Sequence, residues 1–157
     1  MAQLNKFSFG ATSAIVTSLA FIVGLYRNAN PKPVIIGSLL VIAIADNIAD
    51  SLGIHIYQES QLLSTRIIRA STFFNFLTRF LVMSIFILLV AFLPMGYAVI
   101  FSIVYGISLL SILSYFIAKE QKVNPYRAIL QHVIITVLVV IVSNFLSKWI
   151  IDIFNKT

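Results

Sequence analysis

Apolar residues fall into five long runs along the chain, separated by short polar breaks. The runs cover residues 9–25, 34–56, 72–93, 97–117 and 128–154. A bilayer core about 30 Å thick needs about 20 mostly apolar residues per helix, so each run is long enough to cross it. Proline and glycine mark breaks such as Asn30-Pro31 and Pro94-Met95-Gly96, where they end helices. The pattern predicts an all-α polytopic membrane protein, a five-transmembrane-helix bundle forming a single transmembrane domain over residues 1–157.

The first run has the length of a signal-peptide apolar region. It is interrupted by hydroxyl residues such as Thr12 and Ser18, and a basic loop follows it instead of a small-residue cleavage site. We therefore predict that it is a retained membrane helix.

Composition supports the membrane assignment and removes other classes of protein. Hydrophobic residues make up 60% of the chain and charged residues 10%, and the mean hydropathy is +1.01. Soluble domains have about 25% charged residues, and a chain of this size could not bury so much apolar surface in water. Cysteine is absent, which excludes disulfides and thiolate metal sites. The net charge of +6 does not indicate nucleic-acid binding, because the basic residues lie in short loops and at helix ends.

Five spans would place the two termini on opposite sides of the membrane. The side with the N-terminus would have six basic residues and the other side four. The six are Lys6, Arg66, Arg69, Lys119, Lys122 and Arg127, and the four are Arg27, Lys32, Lys148 and Lys156. The positive-inside rule therefore predicts a cytoplasmic N-terminus and a C-terminus on the opposite side.

The second predicted helix contains two acids at membrane depth. Asp46 and Asp50 are four residues apart and so share a helix face, with Asn47 beside them and Gly53 and Tyr57 continuing the stripe. Carboxylate and amide oxygens suit a divalent cation, which makes Asp46, Asn47 and Asp50 candidate metal ligands. Without a cation, neighbouring like charges favour proton uptake by one of the acids. Both uses fit a proton-coupled cation carrier, with Gly53 and Tyr57 along its pathway.

Three further sets of polar residues are candidates, each with a structural alternative. Arg79, inside the third helix, could pair with Asp46 or Asp50, or extend to the interface. Ser13 and Thr17 share a face of the first helix and could line a pathway, or could simply permit close helix packing. His132 could relay protons, although an interfacial histidine near the end of a span is the commoner case.

Three segments of the chain resemble the vacuolar iron transporter family, whose members are five-helix carriers of ferrous iron and manganese. The first helix, from Phe9-Gly10 to Gly24-Leu25, resembles that family's first helix. The stretch from Asp50 through Gly53 to Ser60-Gln61 is similar to the end of its second helix, and 124–127 is similar to its last polar loop. The resemblance implies transport of Fe²⁺ or Mn²⁺ as a substrate, no permanently bound cofactor, and a homodimer with its pathway beside the first helices.

The chain also departs from that family at positions that matter for metal binding. Ser13-Ala14 stands where the family has Asp-Gly, Asp50 stands where it has methionine, and Ile54 stands where it has glutamate. Only about a dozen residues, 58–70, are available between the second and third helices, too few for the family's cytoplasmic metal-binding domain. If this protein moves a metal, we expect the acids of the second helix to form the site.

Two other classes of function compete with a carrier. An intramembrane enzyme is disfavoured because the Asp-Gly and Ala-Arg of a CDP-alcohol phosphotransferase are missing, and because aspartyl proteases need acids on two helices. We therefore predict no enzymatic activity and no catalytic residues. A non-transporting accessory or assembly protein, or a degenerate family member, remains open, and in that case the two acids would only pair with Arg79.

Overall fold

The computed structural model describes residues 4–154, with side-chain positions from Ser8 onward. Lys156 and the side chain of Lys6, both used above to predict the topology, lie outside this part. The described chain forms helices α1 (Leu4–Leu25), α2 (Pro31–Val41), α3 (Asn47–Ser60), α4 (Thr65–Phe92), α5 (Met95–Glu120) and α6 (Pro125–Phe154). A π-helical turn, Ile42–Asp46, joins α2 to α3, so Pro31–Ser60 is one continuous span. Five helices in the described part are long and apolar enough to cross a membrane, which confirms the all-α five-helix bundle.

The spans extend beyond the predicted boundaries, and local chemistry at the helix ends explains why. Pro31 opens α2 in its first turn, where a missing N–H costs nothing. Thr65 opens α4, so the connection after α3 is only residues 61–64 instead of the dozen residues that we predicted. Asn124 caps α6 by accepting hydrogen bonds from the Tyr126 and Arg127 amides at 3.0 and 3.4 Å. Polar residues that the sequence pattern assigned to loops therefore extend the helices past the apolar core of the membrane.

Helix α1 lies at the centre of the bundle and packs against α2, α4, α5 and α6. Gly106 on α5 permits one of these close contacts, since a Cβ there would lie 2.8 Å from the Leu19 Cδ1 atom and 3.3 Å from the Ile15 Cγ2 atom. Small residues at membrane helix contacts allow the backbones to approach in this way. The surrounding core is apolar and includes Ile22, Ile35, Leu39, Met83, Phe86, Val90, Ala98 and Leu110.

Helix α6 has the opposite character. Thr136 is its one buried residue in the described part of the chain, and large apolar side chains cover its outer surface. Exposure of so much apolar surface to water would be unfavourable, whereas lipid tails are themselves apolar and can cover it. The five apolar spans make this chain a multi-pass membrane protein.

We call the membrane side at which α1 begins the N-side. The α3–α4 and α5–α6 connections lie on this side, because the five spans alternate in direction. The loop between α1 and α2 and the Leu93-Pro94 link between α4 and α5 lie on the other side. On that far side, Lys32 Nζ donates a 3.0 Å hydrogen bond to the Ala91 carbonyl and so satisfies the end of α4.

Candidate cation site at the middle of the membrane

The centre of the site is an arginine between two aspartates. Asp46 lies midway along the Pro31–Ser60 span, and Arg79 lies midway along Thr65–Phe92. Arg79 is 1% exposed, and its guanidinium forms ion pairs with Asp46 through Nη2 and with Asp50 through Nη1. The three groups form what we call the charge cluster, which carries two negative charges and one positive charge when all three are ionised. In that state its net charge is −1, at a depth of the bilayer where charge is most costly.

The backbone geometry of the second span brings the acids to this position. In the π turn the hydrogen bonds skip one more residue than in an α-helix, and the Asn47 amide bonds to the Ile42 carbonyl. Asp46 is the last residue of this turn, and Asp50 lies one helical turn further along α3. From there both side chains contact the same residue of α4. Turns of this kind are frequent at functional sites, because they alter the direction in which neighbouring side chains point.

The two carboxylates differ in their surroundings. The side chain of Asp46 is 49% exposed and that of Asp50 is 32% exposed, whereas their shared partner Arg79 is enclosed. Asp50 also lines a cavity of about 670 Å³ between α3, α4 and the start of α1, which we call the N-side cavity. Its other lining residues are Phe9, Ala49, Gly53, Ile54, Tyr57, Gln58, Ile67, Ser71 and Asn75. Gln58 and Ile67 lie near the N-side ends of their helices, so the cavity extends from that side inward to Asp50.

Of the predicted pathway residues, the structure brings Gly53 and Tyr57 together with Asp50 around the N-side cavity. Ser13 and Thr17 are partly buried on α1 and do not line this cavity. They share their helix face with Gly24, which packs against α6, where a Cβ would lie 3.7 Å from Ser143. The face of α1 that carries Ser13 and Thr17 is thus directed toward α6 and away from the charge cluster.

Asn47, predicted as a neutral metal ligand, is fully buried between α3 and α4. Its Nδ2 donates hydrogen bonds to the Phe76 carbonyl at 2.9 Å and the Ala43 carbonyl at 3.3 Å. It does not line the N-side cavity. In the described geometry its amide links the two helices.

His132, predicted as a possible proton relay, lies between α5 and α6. Its Nδ1 is 2.8 Å from Ser114 Oγ, and its backbone carbonyl accepts a hydrogen bond from Thr136 at 2.9 Å. The structure does not bring it to the N-side cavity or to the charge cluster. The contact with Ser114 gives it a place in packing α6 against α5.

Three further residues line the cavity with Asp50 but were not predicted as site residues: Ser71, Asn75 and Gln58. Ser71 Oγ donates a 2.6 Å hydrogen bond to Gln58 Oε1, which joins α4 to α3. A signal was present, because Ser71, Asn75 and Arg79 are spaced by four residues and must share one helix face. Among the described residues, no group of three or more histidine, cysteine or acidic side chains is placed to hold a metal ion. Any metal would therefore need backbone, amide, hydroxyl or water oxygens in addition to the two aspartates.

Comparison with known proteins does not extend this picture. No protein-family pattern matches the chain, and no curated protein matches its sequence. The resemblance to the vacuolar iron transporters therefore stays a prediction based on the residues quoted above.

Proposed function

We propose that this protein is a membrane transporter of divalent metal cations, of the Fe²⁺ or Mn²⁺ kind, coupled to protons. One observation carries the proposal: Asp50 lines a cavity that extends from the N-side, and it also belongs to a charge cluster at the centre of the membrane. A cation that enters this cavity meets a carboxylate whose competing partner is Arg79. Intramembrane acids beside a cavity are typical of ion and proton pathways.

The charge of the cluster suggests how cation and proton movement are linked. Arg79 neutralises one of the two carboxylates, which leaves one negative charge for a proton or an arriving cation. A divalent cation that binds both carboxylates weakens their ion pairs with the guanidinium, because it takes up their negative charge and repels the positive charge of Arg79. A proton on either acid weakens the binding of that acid both to the cation and to Arg79. Cation, proton and arginine thus compete for one pair of acids, and such competition is the physical basis of exchange transport.

The orientation and the oligomeric state belong to the same proposal. The basic residues at the N-side ends of the helices and in the α5–α6 connection favour a cytoplasmic N-side; they are Arg66, Arg69, Lys119, Lys122 and Arg127. The cavity would then open to the cytoplasm. The resemblance to iron transporters further implies a homodimer, which light scattering of the purified protein in detergent would measure directly.

The experiment is Mn²⁺ uptake into proteoliposomes under an imposed pH gradient, with internal pH recorded in parallel. We expect Asp46→Asn and Asp50→Asn each to reduce both Mn²⁺ and proton movement at least tenfold. Asp152→Asn is the matched control, since Asp152 lies in the last turn of α6, far along the chain from the cluster. Uptake by both cluster variants at the level of the unchanged protein would overturn the proposal.

A non-transporting accessory or assembly protein is the second candidate, and the pairing of Arg79 with both acids favours it. Such a cluster would only hold α3 against α4. The exchange variant Arg79→Asp/Asp50→Arg separates the two readings, because it restores opposite charges without restoring the original site. Recovery of folding, with no Mn²⁺ uptake by either the exchange variant or the unchanged protein, would favour the accessory role. Recovery of folding with loss of the uptake that the unchanged protein shows would favour the carrier.

A further inference from the structure

The N-side cavity contains a polar group that the ion pairs leave unused, the amide of Asn75. This side chain is 1% exposed and lines the cavity with Asp50. Its Nδ2 donates a 3.3 Å hydrogen bond to Ser51 Oγ, while its Oδ1 has no hydrogen-bond partner in the described part of the chain. A buried amide oxygen without a partner is costly in a bilayer and is rare in native proteins. Because Asn75 and Asp50 line the same cavity, a cation there could take an oxygen from each of them.

Asn47, the other amide near the acids, also has an Oδ1 without a hydrogen-bond partner in the described part of the chain, but its side chain lies outside the cavity lining. Its Nδ2 donates hydrogen bonds to the Ala43 and Phe76 carbonyls, which fix the side chain between α3 and α4. The amide that shares a cavity with Asp50 comes instead from α4. The neutral member of the site therefore belongs to the helix that also provides Arg79.

Helix α1 holds the Asn75 amide in place through Gly10. A Cβ at Gly10 would lie 2.7 Å from the Asn75 backbone oxygen and 2.8 Å from its Oδ1. Both distances are shorter than a carbon–oxygen contact allows, so glycine is required for α1 to approach α4 at this point. The close approach restricts the amide, and a restricted ligand binds with a smaller loss of entropy.

We propose that Asp50 and Asn75 bind a partly hydrated hard divalent cation in the N-side cavity, with Asn75 as its neutral oxygen ligand. This inference rests on the proposed function and names the neutral ligand that joins Asp50, the acid of the charge cluster that lines the cavity. Every side-chain ligand available there is an oxygen, the donor type that Mg²⁺, Ca²⁺ and Mn²⁺ prefer. Gln58 and Ser71, nearer the N-side, contact the water molecules that the cation retains.

The test is Mn²⁺ binding to the purified full-length protein in detergent, measured by electron paramagnetic resonance. We expect one Mn²⁺ per chain, displaced by Mg²⁺. Asn75→Leu should weaken the affinity about tenfold or more, the size expected when a polar group bonded to a charge is lost. Asn75→Asp keeps an oxygen at this position and should bind Mn²⁺ at least as tightly as the unchanged protein.

Two glycine variants keep the test decisive if Asn75→Leu fails to fold. Gly10→Ala changes no ligand atom but must displace the Asn75 amide, so it should weaken Mn²⁺ binding. Gly37→Ala is the matched control, because a Cβ at Gly37 meets nothing within 4 Å. Equal affinity in the unchanged protein, Asn75→Leu and Gly10→Ala would overturn the inference, as would absence of Mn²⁺ binding by the unchanged protein.

Failure of this inference is distinguishable from failure of the proposed function. Uptake that depends on Asp50 and is unaffected by Asn75→Leu would reject Asn75 as a ligand and leave the carrier proposal intact. Mn²⁺ binding that depends on Asn75 in a protein without uptake would support the site and reject the carrier.

Discussion

The buried face of α4 has two halves with opposite chemistry. In the N-side half the buried residues are Ile68 and the polar residues Ser71, Asn75 and Arg79, and in the other half they are Met83, Phe86 and Val90. Both halves follow one stripe along the same helix, at spacings of three and four residues. The apolar half packs into the core around α1, whereas the polar half faces α3 and the N-side cavity.

This difference in chemistry distinguishes the half of α4 that helix packing alone can explain from the half that it cannot. Helices in lipid associate through close van der Waals contact, and the apolar half does so without any polar atom. A polar half built only for packing would have all of its groups paired, because each unpaired group is costly. Here Asn75 Oδ1 and Arg79 Nε have no hydrogen-bond partner among the described residues. These unpaired groups support the proposed cation site in the polar half, for which the apolar half is the structural support.

The largest effect should come from removing the charge in the polar half. Arg79→Met leaves two carboxylates near the bilayer centre without their partner, and breaking a buried ion pair in this way costs roughly 3–5 kcal/mol. We expect a large loss of folded protein, measured by size-exclusion chromatography in detergent and by denaturant titration.

The triple variant Arg79→Met/Asp46→Asn/Asp50→Asn is its control. It removes the unpaired charges and should recover most of the lost stability, although not the uptake of cations. Arg79→Met with unchanged stability would mean that the ion pairs contribute little, and the two halves of α4 would then be energetically alike.

An intermediate effect should come from the apolar half. Phe86 is fully buried, and the centroid of its ring lies 5.1 Å from the centroid of the Tyr105 ring in an edge-to-face arrangement. We expect Phe86→Ala to cost about 1–3 kcal/mol, less than in a soluble core, because the lipid that solvates the separated helices is also apolar. Denaturant titration in mixed micelles measures the loss.

Phe145→Ala provides the comparison, since Phe145 faces outward on α6 with 65% exposure and should be nearly neutral. Mn²⁺ affinity of the folded Phe86→Ala protein should not change. A clear loss of affinity would show that the apolar half shapes the site directly.

The smallest effect should come from one hydroxyl of the polar half. Ser71→Ala removes the 2.6 Å hydrogen bond to Gln58, and such bonds between membrane helices average about 0.6 kcal/mol. Ser84→Ala is matched to it, because the Ser84 hydroxyl bonds only within its own helix, to the Phe80 carbonyl at 2.8 Å. A difference above about 2 kcal/mol between the free energies of unfolding of the two variants would mean that the Ser71 hydroxyl contributes more than one ordinary interhelical hydrogen bond.

The five spans could be predicted from the sequence because the requirement for about 20 apolar residues is a simple physical constraint. The boundaries were less accurate, since α4 begins at Thr65 and includes Arg66 and Arg69, which the charge pattern assigned to a loop. Long basic side chains can extend to the interface while their backbone stays helical, so charge alone does not mark the end of a helix.

The candidate site was only partly predictable. Spacing placed Asp46 and Asp50 on one face, and Arg79 was named as a possible partner, but its simultaneous contact with both acids depends on how α3 packs on α4. Spacing alone places Asn75 on the face of α4 that carries Arg79, but its position in the site depends on Asp50 across the cavity and on Gly10 of α1. Contacts between residues that are far apart in the sequence cannot be predicted from the residue spacing within one helix.

The π turn at Ile42–Asp46 makes the site depend on the number of residues that precede it. A π turn holds one residue more than an α-helical turn. If the turn became α-helical with all of its residues kept, the rest of the span would rotate by about 100° relative to α2, since an α-helix has 3.6 residues per turn. Asp46 and Asp50 would then leave the face that meets Arg79, even though every polar side chain remained in the chain. Deleting one of residues 42–45 would instead remove the extra residue and leave both acids close to that face, so this protein should tolerate a single-residue deletion in the turn more readily than one in the regular part of α2.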